Sequence, residues 1–179
     1  EYPEFDEVRL DWPETPCYKL DEVFQDFGPT ATAWAADHGY PVEAIRRDVA
    51  GLYRHLHGGL TNAEIEAVAA AADTEVLTCG PFARFPLLAQ WLEWKAALVV
   101  DLLADWRDAL TNVAGAAAIL SANAFAPPYH RLTGFDYAAA AQPCSIVAPK
   151  LYAMHWSMMI DFWCRPLLAA NAGLDEQLL

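Results

Sequence analysis

The residues best placed to do chemistry by type and spacing are Asp101, Asp105 and Asp108, inside the apolar run WLEWKAALVVDLLADWRDAL at 91–110. A helix advances by about 100° per residue, so with Asp101 at zero Asp105 falls near +40° and Asp108 near −20°. Three carboxylates on one narrow face could hold a hard divalent cation, which prefers oxygen ligands. The rest of the wheel points elsewhere. Val99, Leu102, Leu103, Trp106 and Leu110 fill the opposite arc, a wide buried face, so the aspartates fall where a solvated edge belongs. Like charges at i, i+4 repel by a few tenths of a kcal/mol in water and by far more if buried unpaired. Asp101, Asp105 and Asp108 therefore read as a wet edge, with contact to a polar partner and a metal or diphosphate site as the alternatives.

Other chemistry finds little support in the residues. None of the histidines, His38, His55, His57, His130 and His155, follows an acid by three positions, so the Glu-x-x-His signature of carboxylate-bridged dimetal bundles is missing. The pair His55 and His57 diverges on a helix. Ser121, Ser145 and Ser157 lie outside any G-x-S-x-G elbow. Cys144, with His130 or His155, could make a thiol–imidazole pair, although a buried thiol after Pro143 explains the same residues. No glycine-rich phosphate loop is present. Residues 33–56 resemble a helix-turn-helix, but Arg46 and Arg47 alone do not make a basic footprint in a chain of net charge −13. With 24 acids against 11 bases the surface repels phosphate backbones and anionic membranes. No cofactor is predicted.

The elements that would position these residues read as mainly helical: an irregular domain of about six to eight helices over 20–179, preceded by an extended acidic arm over 1–19. The first 28 residues carry nine acids and two bases, with Pro3, Pro13 and Pro16 opposing helix, and Tyr2, Phe5, Val8, Leu10 and Trp12 able to dock the arm. A short helix is expected near 20–27. Pro29 suits a first helical turn, His38-Gly39 a stop, Pro41 a restart and Gly58-Gly59 another stop. Thr61 and Glu64 have capping-box spacing. A long helix is expected from Pro86 to Leu110. The uncharged stretch 109–129 is too rich in Ala, Asn and Thr for a membrane span and reads as a buried central helix. EVLTC at 75–79 and SIVAP at 145–149 are the best strand signals. Cys17, Cys79, Cys144 and Cys164 lack CxxC spacing and read as reduced thiols.

Residues 109–179 contain only seven charges, Arg131, Asp136, Lys150, Asp161, Arg165, Asp175 and Glu176, too few to solvate a helical surface. LYAMHWSMMIDFWCRPL at 151–167 is apolar on nearly all sides. Trp12, Trp156, Met158, Met159, Phe162 and Trp163 are therefore the expected interface residues. A chain beginning at Glu1 reads as a processed product or part of something larger. The expected function is a non-catalytic structural subunit of a larger protein assembly or homo-oligomer, for example a capsid or virion surface component, without direct nucleic-acid binding or a membrane span. The alternative is a helical enzyme or enzyme subunit using a carboxylate-bound divalent metal or an apolar ligand pocket. The sequence specifies no compartment.

Overall fold

In a computed structural model, which describes residues 6–179 apart from the side chains of 154 and 155, the chain runs β1 (Glu7–Asp11), α1 (Pro29–Asp37), α2 (Val42–Leu56), α3 (Asn62–Ala70), α4 (Leu88–Ala114), β2 (Ile119–Phe125), α5 (His130–Thr133), α6 (Tyr137–Ala140), β3 (Ile146–Lys150) and α7 (Ala153–Ala170). Short 3-10 turns lie at Leu20–Phe24, Val76–Thr78, Gly80–Arg84 and Glu176–Leu178. The fold is mainly helical, with a parallel three-stranded sheet that the sequence reading did not include. The chain divides into two compact units: Tyr18–Trp91 with Ala153–Leu179, and Leu92–Tyr152 with the described part of Glu1–Cys17.

In the unit built from Tyr18–Trp91 and Ala153–Leu179, local signals decide the helices. Pro29 opens α1 and Gly39, at φ 81°, follows its stop. Ile45, Val49, Leu52 and Leu56 form the buried stripe of α2 at helical spacing. Thr61 caps α3: its Oγ1 accepts the Glu64 N–H at 3.3 Å, while Glu64 Oε2 accepts the Thr61 N–H at 3.0 Å. Glu64 Oε1 also meets His55 Nε2 at 3.0 Å and Arg84 Nη2 at 3.1 Å. Buried Asn171, just past α7, accepts the Leu60 N–H at 3.0 Å and donates to Leu56 O at 2.7 Å, satisfying the loop between α2 and α3. The expected strand 75–79 is instead a 3-10 turn over Val76–Thr78.

The other unit is organised by the sheet, ordered β1-β2-β3 with both pairings parallel. The predicted helix over 109–129 is overturned: α4 ends at Ala114, Gly115 takes φ 86°, and Ile119–Phe125 becomes the central strand. Small side chains explain why. Leu120, Ala122 and Ala124 are fully buried, and with two alanines among them and Ile119 the one β-branched residue of the segment, the β-branched signature of a strand is weak. Side chains alternate across a strand. Val8, Leu10, Leu120, Ala122, Ala124 and Val147 join Val99 and Leu103 of α4, with Phe135, Ala140 and Cys144, in one apolar cluster. Glu7, Arg9, Asp11, Ser121 and Asn123 alternate with them on the other, polar face, where Arg9 Nη2 donates to Glu7 at 2.8 Å and the Ser121 hydroxyl donates to the same carboxylate.

Arg107 ties α4 to the amino ends of β2 and β3, donating to Ala118 O at 2.8 Å, Pro143 O at 2.7 Å and Ser145 Oγ at 2.9 Å. The buried face of α4 is narrower than the wheel implies. Val99 and Leu103 join the apolar cluster and are buried, whereas Leu102 and Trp106 lie outside it and are 41% and 45% exposed.

Candidate site at the carboxyl ends of the strands

The carboxyl ends of the three parallel strands bring together residues far apart in sequence. β1 delivers Asp11, Trp12 and Glu14; β2 delivers Asn123 and Phe125; β3 delivers Lys150. The chain leaving β1 is pinned both to β2 and to the end of α5. The Trp12 N–H donates to Asn123 O at 3.0 Å, and Thr15 donates to Thr133 O through its N–H at 3.1 Å and its hydroxyl at 3.0 Å. Trp12 takes φ 61°, a left-handed conformation rare for a bulky residue and a mark of local strain. Its indole stacks parallel to Phe125 at 5.5 Å, and Lys150 Nζ lies 3.7 Å from its centroid.

This pinning carries Glu14 inside, where it is 8% exposed. Oε1 accepts the Phe125 N–H at 2.6 Å, and Oε2 has no hydrogen-bond partner among the described residues. Burial pushes the Glu14 pKa up to about 7, against the opposing pull of the Phe125 N–H and Lys150. Asp11, three residues earlier, is shifted the other way: the ammonium of Lys150, bonded to its carboxylate, holds its pKa below the usual range. At neutral pH one carboxyl is therefore ionised and the other is poised between acid and base. Opposed shifts in neighbouring carboxyls are how one site divides acid and base roles.

Two more titratable groups flank the site. The Tyr137 hydroxyl donates to Phe125 O at 2.8 Å, and burial together with the Glu14 charge raises its pKa to about 12. It serves as a fixed donor. His130 packs against Tyr137 at 5.4 Å between ring centroids, its Nδ1 buried without a partner among the described residues, and burial lowers its pKa.

The residues singled out in the sequence fall elsewhere. Asp101, Asp105 and Asp108 are all exposed, and no group of three or more His, Cys, Asp or Glu side chains that could hold a metal ion exists among the described residues. Cys144 is buried and burial pushes its thiol pKa up, the wrong direction for a nucleophile. All four cysteines are free. Of the expected interface residues, Met159 is 2% exposed. Trp12, Met158 and Phe162 are 38%, 42% and 37% exposed; Trp156 and Trp163 are half-buried. Tyr2 and Phe5, expected to help dock the arm, lie outside the described residues. Among the described residues no helix is long and apolar enough to cross a membrane.

Sequence reasoning missed Asp11, Glu14, Tyr137 and Lys150. The signal was an alternating strand, VRLD, with a lone acid after it in WPET, but without its partner strands that segment reads as an arm. Compared with protein-family models, with curated proteins and with solved structures, the chain matches none.

Proposed function

We propose that the carboxyl edge of the sheet is a small-molecule acid–base site, making the chain an enzyme or the site-bearing part of one, with Glu14 as the proton-transfer group. The observation that carries this reading is Glu14 itself: buried, poised near pH 7, with one carboxyl oxygen held by the Phe125 N–H and the other unpaired among the described residues. In the protonated form Oε2 gives its proton to a basic atom of the ligand, and the carboxylate left behind is stabilised by the Phe125 N–H and by Lys150. Asp11, kept ionised by Lys150, supplies the fixed negative charge beside it. The architecture supports the reading by analogy. Consecutive parallel strands with their helices on one face, and a polar opposite face, are the arrangement of (β/α) units, whose active sites form at the carboxyl ends of the strands.

The test is a fragment screen by NMR at pH 6 and 8. Polar fragments should perturb Glu14, Asn123, Phe125 and Lys150, with an affinity that changes through pH 7 and loses that dependence in Glu14→Gln. Perturbations confined to other residues, or a pH dependence that survives the substitution, would sink the reading.

A second reading, a structural subunit of an assembly such as a capsid component or homo-oligomer, is favoured by one observation. On α7, Met158, Ile160 and Phe162 are 42%, 52% and 37% exposed, three large apolar side chains open to a partner on one helix. Size-exclusion chromatography with light scattering should then give an oligomer that Ile160→Ser with Phe162→Ser dissociates; a well-behaved monomer contradicts it.

A further inference from the structure

The unit containing α2 carries a groove of about 430 Å³ between that helix and the segment around the 3-10 turn Leu20–Phe24. Its size is within the range of small-ligand sites. Arg46, Val49, Ala50, Tyr53 and Arg54 line one wall, and their spacing of i, i+3, i+4, i+7 and i+8 puts them on a single face of α2. Phe24 and Phe27 line the other. The floor is thus apolar and aromatic, with Phe24 set edge-on to Tyr53 at 5.3 Å, and guanidinium groups stand at both ends of the row. Eight residues of helix separate those groups by about 12 Å of rise.

The two arginines bring positive charge to the groove in a chain with 24 acids and 11 bases. Arg46 meets Glu43 only through Nη1, at 3.1 Å, and lies over Phe27 with its Cζ 5.6 Å from the ring centroid. Its Nε is buried with no acceptor among the described residues, so the side-on edge of the guanidinium, the one that grips a carboxylate with two parallel hydrogen bonds, is incompletely used. Asp21 is the one acid in the lining, and its carboxylate meets His57 Nε2 at 3.1 Å.

We propose that this groove binds an aromatic carboxylate: a planar apolar body lying against Phe24, Phe27 and Tyr53, with the anionic group taken by Arg46 or Arg54. Aromatic walls suit a flat hydrocarbon, a guanidinium stacked on a ring stays oriented for an anion, and Asp21 repels a second negative charge. The site is independent of Glu14 and does not rest on the proposed acid–base chemistry.

The experiment titrates the whole chain with 2-naphthoate, its neutral amide 2-naphthamide, and inorganic sulfate, following amide shifts by NMR. Naphthoate should saturate at one equivalent, shifting Arg46, Val49, Tyr53 and Arg54, and should bind at least tenfold tighter than either control. Arg54→Gln, at an exposed position, and Arg46→Gln should each weaken naphthoate while leaving naphthamide unchanged, and Asp21→Asn should tighten it. No saturable naphthoate binding, equal affinity for the amide or for sulfate, or indifference to both arginine substitutions would each overturn the proposal.

Discussion

Replacing Glu14 with Gln isolates the cost of putting an ionisable group where this fold puts it. Burial raises the folded-state pKa of Glu14 from 4.5 to about 7. Below the unfolded value both states hold the proton. Between pH 4.5 and 7 the folded state keeps a proton that the unfolded state has released, so wild-type stability falls as pH rises; above 7 both have lost it and the deficit is constant. At 1.36 kcal/mol per pKa unit the loss is about 3 kcal/mol. Glutamine keeps the shape and an oxygen for the Phe125 N–H and does not titrate. Urea unfolding followed by tryptophan fluorescence should show wild type and variant diverging from about pH 4.5 to 7.5, the variant gaining about 3 kcal/mol relative to wild type. The two groups coupled to Glu14 titrate outside this window, Asp11 below it and Tyr137 at about 12, so the remaining titrations cancel in the difference. Curves that stay parallel within about 0.5 kcal/mol, the ordinary scale of a neutral surface change, would refute the placement of Glu14 as a buried titrating group.

Lys150→Met removes the cation that depresses Asp11 and also pulls on Glu14, so NMR titration should find both carboxyl pKa values raised, Asp11 toward its ordinary value and Glu14 above 7. Asn171→Ala orphans the Leu60 N–H and the Leu56 carbonyl in a buried site and should cost about 2–3 kcal/mol in urea unfolding. Gly134 has φ 84°, and a Cβ there would lie 2.7 Å from Lys95 Cβ and 2.8 Å from Lys95 C; Gly134→Ala should destabilise by about 2 kcal/mol or more, measured in the same way. Asp101→Asn with Asp105→Asn, both exposed on α4, should change stability by less than about 0.5 kcal/mol and leave no difference in metal content by elemental analysis.

The features legible in the sequence are local. The stops at His38-Gly39 and Gly58-Gly59, the capping box at Thr61 and Glu64, Pro29 opening α1 and the strand over SIVAP all rest on short-range backbone chemistry, and each appears in the structure. The sheet is not local. ILSANAF has only one of the β-branched residues that advertise a strand, Ile119, and the cluster it joins is filled by Val99, Leu103 and Phe135 from outside the strand. The candidate site depends on the sheet, so it was hidden with it. Glu14, Phe125 and Lys150 are joined only when the parallel register is known, whereas Asp101, Asp105 and Asp108 drew notice through a spacing visible on one helix. Trp106 shows the same limit: a helical wheel gives the direction of its side chain, but not whether anything lies there to cover it.

The central claim is tested most directly by labelling glutamate with 13C at the carboxyl carbon, assigning Glu14 by comparison with Glu14→Gln, and following its shift from about pH 3 to 9, a range that brackets the ordinary and the raised value. The account predicts a midpoint at about 7, with the neighbouring Asp11 titrating below its ordinary value in a matched aspartate-labelled sample. A Glu14 midpoint at 4.5 would mean that the carboxyl is solvated like any surface glutamate, and the acid–base site would not exist.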